Sequence, residues 1–284
     1  MSAGAVRALL ARHGLAASRD LGQNFLVDET LAARLASISG VTPDEAVIEI
    51  GTGLGVMTRA LAARARRVVT LEIDAGLVRA LRAEAALPET VELRHADALA
   101  VDLGALAREL GAPVRLVGNL PYAISSPLLR RVLDVREHLS GWAVMLQREL
   151  AARLVAVPGA RDYGSLTVLH RLTVSVSRVM DLRPGCFHPA PRVLSSFLCM
   201  TPLAGVALPA AELAQVERVV RAAFGMRRKT LVNALRAGLC SMADGARIAS
   251  ALAQVGLDPS LRAERVRPEQ YAALTRALLD ARRP

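Results

Sequence analysis

Four short runs of aliphatic and β-branched residues mark the first half of the chain: 46–50, 67–72, 91–95 and 114–117. Each is long enough for a buried strand and too short for a helix. Between them, apolar positions recur at helical spacing over 56–65, 75–85 and 102–110. Strand alternating with helix predicts a parallel sheet with helices on both faces. Upstream, Val6, Leu9 and Leu10 give a short first helix over 3–13, and Asp28 caps a second one ending near Ser39. Asp74 is placed to cap the helix over 75–85. Downstream, Ser126 and Pro127 suit a cap and first helical position. A fifth strand over 142–146 and a strand pair over 173–180 and 193–200 follow. The stretch 202–209 has proline at both ends, glycine and no charge, and beyond it the pattern is helical to the end. The expected architecture is therefore α/β with a small all-helical C-terminal domain, divided into 1–204 and 205–284.

The strand ends are more informative than the strands. Right-handed crossovers bring Gly51, Glu72, Asp97 and Asn119 to the carboxyl ends of four successive strands. Ligands of open α/β sheets bind along that edge. Each residue alone is explained as a cap or turn, but four in phase are not. Gly51-Thr52-Gly53-Leu54-Gly55 lies between a strand and a helix, where glycines let a ligand approach the backbone. Its G-x-G-x-G spacing, with Val56 where the dinucleotide fingerprint has its last glycine, is compatible with an adenosyl ligand and fits a nicotinamide dinucleotide less well. Glu72 follows the glycines by about twenty residues, the distance at which such folds place a carboxylate on ribose hydroxyls.

The fourth strand runs into Asn119-Leu120-Pro121-Tyr122. An amide acceptor and an aromatic face, joined by a stiffening proline, suit a flat ring bearing an amine. A strand-to-helix turn with a half-buried tyrosine is the plainer alternative. Two further segments combine a ring with polar turn residues. Leu21-Gly22-Gln23-Asn24-Phe25-Leu26 reads either as an amide-capped loop or as a polar lip over a small-molecule site. Around Phe187-His188-Pro189-Ala190-Pro191, alternating prolines hold the loop extended and present Phe187.

Composition narrows the class. The chain has 284 residues and a net charge of +10, and no apolar run approaches the roughly 18 residues a membrane span needs. Three cysteines without CxxC spacing read as reduced, buried thiols in a cytoplasmic protein with no metal site. A basic chain of this kind meets a polyanion. Residues 210–284 hold 13 basic against 7 acidic side chains, +6 of the total. Their densest cluster is Arg227-Arg228-Lys229, which includes the sole lysine. It is either a solvated helix start or a phosphate contact site.

Taken in order, these segments resemble the bacterial rRNA adenine N6,N6-dimethyltransferase family, over nearly the whole chain. The resemblance rests on Leu21 to Leu26, Glu49 to Gly55, Glu72-Ile73-Asp74, Asn119 to Tyr122, Phe187 to Val193, and Arg227-Arg228-Lys229-Thr230-Leu231. It implies a Rossmann-like S-adenosylmethionine-dependent methyltransferase domain over 1–204 and a helical RNA-binding domain over 205–284. The implied substrate is two adjacent adenosines in the 3′-terminal hairpin of 16S rRNA, in a maturing small ribosomal subunit. The implied cofactor residues are Asn24 and Leu26 over the methionine end, Gly51 and Gly53 beneath it, Glu72 on the ribose, Asp97 on the adenine amino group, and Asn119. The implied catalytic set is Asn119, Leu120, Pro121, Tyr122 and Phe187, with the two rings stacking on a flipped base. Arg227, Arg228 and Lys229 are the implied RNA contacts. A cytoplasmic monomer is expected. Three departures from the family's usual pattern stand out: Thr52 for proline, Arg192 for lysine and Leu194 for aspartate. The competing readings are a large-subunit rRNA adenine N6-methyltransferase of the antibiotic-resistance type and a ribosome-assembly or transcription factor on the same fold.

Overall fold

The computed structural model describes residues 3–204, 208–226, 228–240 and 243–280. It opens with α1 (Ala3–Arg12), the two-residue strand β1 (Phe25–Leu26) and α2 (Glu29–Ile38). Asp28 caps α2 by accepting from the Leu31 N–H at 2.9 Å, as its place before the apolar pattern predicts. The alternating core follows: β2 (Ala46–Ile50), α3 (Val56–Ala62), β3 (Arg67–Glu72), α4 (Ala75–Ala83), β4 (Val91–His95), α5 (Leu103–Glu109) and β5 (Val114–Asn119). Asp74 caps α4 through Gly76 N–H at 2.8 Å and Leu77 N–H at 3.2 Å. Next come α6 (Tyr122–Asp134), β6 (Leu139–Gln147), α7 (Arg148–Val155), α8 (Ser165–Arg171), β7 (Val174–Leu182), β8 (Phe187–His188) and β9 (Ser195–Pro202). Four helices close the chain: α9 (Ala210–Phe224), α10 (Leu231–Gly238), α11 (Gly245–Gln254) and α12 (Pro268–Asp280). No described helix is long and apolar enough to cross a membrane.

The main sheet has the order β4-β3-β2-β5-β6-β9-β7. Neighbouring pairs from β4 to β6 are parallel, and β9 returns antiparallel to β6. Strand order reverses between β2 and β5, where Ile50 is in register with Gly118. A crevice opens at the carboxyl ends of strands at such a reversal. All five positions of β2 are buried, as a strand covered by helices on both faces requires.

The start of α6 departs from expectation. The helix begins at Tyr122, directly after Pro121, and Pro127 lies inside it instead of opening it. The first turn is already closed there: the Pro121 carbonyl accepts from the Ile124 N–H at 3.2 Å and from the Ser125 hydroxyl at 3.0 Å, ahead of the Ser126-Pro127 pair. Tyr122 is thereby fixed on a helix at the mouth of the crevice.

The chain forms two compact units, 1–151 with 177–202 and 152–176 with 203–284. The second unit thus takes in residues 152–176, which the sequence pattern assigns to the first. Its contacts explain this: Gly159 N–H donates to the Glu264 carbonyl at 2.7 Å, and the Tyr163 hydroxyl donates to the Val266 carbonyl at 2.9 Å. The Tyr163 ring packs against Phe224, which in turn packs against Tyr271, both with centroids 6.1 Å apart. Of the cysteines expected to be buried, Cys186 and Cys199 are half-buried and Cys240, just beyond α10, is exposed.

Candidate active site

The crevice holds a cavity of about 180 Å³ lined by residues from each of the four expected strand ends. Gly51 and Gly53 form its floor with φ of +83° and +55°, a region that disfavours side chains. A Cβ at Gly53 would also come within 3.2 Å of the Phe25 ring. Gly53 N–H donates at 2.9 Å to Glu72 Oε2, and Asp74 N–H donates at 3.0 Å to Oε1. Glu72 is 5% exposed, and burial pushes its carboxyl above the usual range, opposed by these backbone donors. Each oxygen keeps acceptor capacity for a hydroxyl. At the end of β4, the Asp97 side chain accepts from Leu99 N–H at 2.8 Å through Oδ1.

The N-terminal loop is tied to this edge by its amides. Gln23 Nε2 donates to Asp74 at 2.8 Å while its Oε1 accepts from Ser18 N–H at 2.8 Å. Asn24 Nδ2 donates to the Gly22 carbonyl at 3.1 Å, and the Asn24 carbonyl accepts from Asn119 Nδ2 at 3.0 Å. A carbonyl only accepts, so the Asn119 nitrogen must face it. Oδ1 remains an acceptor on a residue that lines the cavity. Leu120 is buried, with its N–H directed to the Met145 carbonyl at 3.3 Å. The Tyr122 hydroxyl lies 3.2 Å from Ser195 Oγ.

Of the expected cofactor and catalytic residues, only Leu26 falls outside the cavity lining. Its side chain is in the hydrophobic core, and its backbone pairs with Phe187. Phe25 takes the lining position instead. Phe187 has the expected extended backbone but lies in the short strand β8: it is 5% exposed and shares a core cluster with Val117 and Phe197, with part of its surface on the cavity. Pairing of β8 with β1 pulls it in. Of the basic triplet, Arg227 lies outside the described residues, while Arg228 and Lys229 are exposed just before α10 in the second unit.

Two of the departures are explained locally. Thr52 Oγ1 lies 2.7 Å from Thr70 Oγ1, a buried pair that joins the glycine loop to β3. The loop before β9 is held by its backbone at the Leu194 position, whose carbonyl accepts from Arg148 N–H at 2.9 Å.

Two residues lie outside the expected cofactor and catalytic sets. Gln23 is one, although the polar-lip reading of its loop includes it. The other is Arg131 on α6, which donates to the carbonyls of Ala98 at 3.2 Å, Leu99, and Val101 at 2.8 Å. It thus holds the loop that follows Asp97. An arginine in a helical pattern gives no sign of this.

The residues suit S-adenosylmethionine. The glycine floor leaves room for a ligand against the backbone, and Ile50, Leu71 and Leu77 supply apolar walls. Asp20, Glu72 and Asp97 are acidic and no lining residue is basic, which favours a ligand carrying a sulfonium and an ammonium.

The ribosomal RNA adenine dimethylase family profile matches residues 14–278. The chain is 42% identical to a ribosomal RNA small subunit methyltransferase A of Geobacter metallireducens, over 94% of this chain and 97% of that protein. It is 42% identical to the protein of that name in Myxococcus xanthus, over 96% and 94%. Among solved structures, the 23S rRNA methyltransferase ErmE superposes with a TM-score of 0.65 at 29% identity, covering 90% of this chain and 99% of that one. A dimethyladenosine transferase from Plasmodium falciparum gives 0.75 at 21% identity, over 88% and 95%, and shares the fold. With the cofactor edge and the Asn119 motif assembled at one crevice, the chain belongs to the ribosomal RNA adenine dimethylase family and is a methyltransferase that uses S-adenosylmethionine.

Proposed function

We propose that this enzyme dimethylates the N6 amines of two adjacent adenosines in the 3′-terminal hairpin of 16S rRNA, acting as a cytoplasmic monomer on the maturing small subunit. The observation that carries the chemistry is the Asn119 amide, whose nitrogen is held by Asn24 at 3.0 Å so that its oxygen remains an acceptor. An adenine amine is a poor nucleophile because its lone pair is delocalised into the ring. Acceptance of its N–H bonds by Asn119 Oδ1 and the Leu120 carbonyl orients it and favours a more pyramidal nitrogen.

Tyr122 offers a half-buried ring at the cavity mouth for a flipped base, and Phe187 supports the inner wall. Glu72 would hold the ribose hydroxyls of the cofactor and Asp97 its adenine amino group. When bound, the cofactor supplies an activated methyl group on sulfur. The protein's own contribution is positioning and oriented dipoles.

The small-subunit assignment is supported by relatives of that name at 42% identity over nearly the whole chain, against 29% for the large-subunit enzyme. Division of labour is supported by charge: the second unit holds 16 basic and 8 acidic side chains. Incubation with labelled S-adenosylmethionine and undermethylated small subunits, followed by mapping of the modified nucleotides, tests the reading. Label on two adjacent 3′-hairpin adenosines is expected; small subunits left unlabelled at those adenosines, with large-subunit rRNA labelled in a parallel incubation, would overturn it.

A further inference from the structure

A second cavity, of about 900 Å³, adjoins the first and shares Gly22, Gln23, Asn24 and Tyr122 with it. Their electrostatics are opposite. The cofactor-side cavity is lined by three acids and no base; the second is lined by Arg7, Arg19 and Arg192 and by no acid. All three arginines are exposed, and no carboxylate among the described residues pairs with them. The first unit as a whole carries 20 basic and 18 acidic side chains, so three unneutralised guanidiniums around one hollow are a local concentration, not a reflection of overall charge. Such a hollow raises the local concentration of an anion, and guanidinium forks match phosphate oxygens. Its walls also include Leu15, Pro191 and Val193, the last 44% exposed, which offer apolar contact to a sugar or base face.

We propose that this second cavity is a phosphodiester site that grips the RNA backbone flanking the adenosine held at Asn119. The inference rests on the proposed function, because it takes RNA as the chain that passes Tyr122. The shared wall gives the geometry: a base placed against Tyr122 in the first cavity leaves its neighbours in the strand over the second. The acids of the first cavity repel phosphate while the arginines of the second attract it. Opposite charge on the two sides of one wall therefore sets which part of the substrate enters which compartment. Arg192 brings to this lining a planar fork suited to two phosphate oxygens.

The test uses the full chain and a synthetic RNA hairpin of the 16S 3′-terminal sequence. Kd is measured against salt concentration for the wild type, for the Arg7→Gln/Arg19→Gln/Arg192→Gln triple, and for each single variant. Removing one cation from a phosphate lowers the slope of log Kd against log salt by about 0.7–0.9. The triple should therefore be shallower by about 2.1–2.7, with S-adenosylhomocysteine affinity by calorimetry unchanged. An unchanged slope in folded variants overturns the phosphate site, and so does an equal loss of cofactor affinity. The single variants replace exposed side chains, so the measurement stands if the triple does not fold. Wild-type RNA binding without methylation would remove the proposed activity while a shallower slope kept the phosphate site; no wild-type binding would overturn both.

Discussion

Asn119 Nδ2 donates to the Asn24 carbonyl at 3.0 Å, joining the end of β5 to a loop 95 residues earlier in the chain. The bond settles which way the amide faces, because the carbonyl has nothing to donate. In the role proposed for Asn119, it also makes the acceptor for the target amine depend on the N-terminal loop. That loop is held in turn by Gln23 on Asp74 at 2.8 Å. The carboxylate edge and the amine site thus share one support.

The Asn119→Ala variant should lose turnover without losing RNA. Removal of an oriented polar group at a reacting centre lowers rate by roughly 10²–10³. Binding of RNA through phosphates should stay within about twofold, since the deleted interaction matters mainly near the transition state. Single-turnover methylation and RNA titration, run side by side, separate the two. A collapse of RNA affinity with near-normal chemistry would contradict the role given to Asn119.

Glu72→Ala should weaken the cofactor instead. Its carboxylate is held by Gly53 and Asp74 N–H groups at 2.9 and 3.0 Å, leaving acceptors for a ribose diol. Loss of a charge-assisted pair of this kind amounts to about 1–3 kcal/mol. Calorimetry with S-adenosylhomocysteine reads it directly, and unchanged affinity in a folded protein would remove Glu72 from the site.

Glu49, one strand away, makes a pH-dependent prediction. It is 1% exposed in the middle of β2, and burial pushes its carboxyl up to about 7, although the Thr58 hydroxyl donates to it at 2.7 Å. In the unfolded chain the group ionises near 4.5. The folded state therefore binds more protons between those values, and stability declines across that window as pH rises through about 7. Glu49→Gln cannot ionise, so its stability should fall less over that interval, by on the order of 2–4 kcal/mol. Thermal or urea unfolding at about pH 5 and pH 8 compares them. Parallel pH profiles would show that Glu49 does not titrate in this window.

Much of this site was legible because strand ends and caps are local features. Gly51, Glu72, Asp97 and Asn119 could be placed on one edge from strand spacing alone, and Asp28 and Asp74 cap the helices that their positions predict. What escaped depends on contacts between distant segments. Phe187 sits in a Pro-rich stretch that reads as an extended loop, and it is extended, but the pairing with Leu26 that buries it is not visible in the pattern. Residues 152–176 look continuous with the sheet domain until Tyr163 finds Val266, 103 residues on. Pro127 is a plausible helix start by propensity, but the Ile124 N–H closes a turn on the Pro121 carbonyl earlier.

Arg131 is a positioning residue of the same kind, invisible in sequence. It grips the carbonyls of Ala98, Leu99 and Val101 from α6, the helix that Tyr122 opens. Ala98 and Leu99 line the cofactor-side cavity next to Asp97. Arg131→Met keeps the aliphatic stem and removes the donors. The loop should loosen, raising KM for S-adenosylmethionine severalfold with kcat nearly unchanged, as expected when ground-state and transition-state binding weaken equally. A merely structural role would lower the melting temperature and leave the KM-to-kcat split unmoved.

The last prediction concerns the second unit. Arg228 and Lys229 are exposed on the connection into α10, in a unit whose 16 basic side chains outnumber its acids two to one. The acids Glu72 and Asp97 of the cofactor-side cavity repel RNA, so affinity should draw on basic side chains outside that cavity, those of the second unit among them. If the two side chains contact phosphates, Arg228→Gln/Lys229→Gln should weaken hairpin RNA binding and lower the salt slope by about 1.4–1.8. Cofactor affinity should hold, because every residue of the cofactor-side cavity belongs to the first unit. The alternative is that this segment serves packing. Leu231 begins α10 fully buried, and its N–H donates to the Leu261 carbonyl at 2.6 Å. A packing role for the two cations would lower the melting temperature and leave the salt slope of the wild type. Salt-dependent titration alongside thermal unfolding separates the outcomes: a shallower slope at constant stability assigns the pair to RNA, and an unchanged slope removes it from the interface.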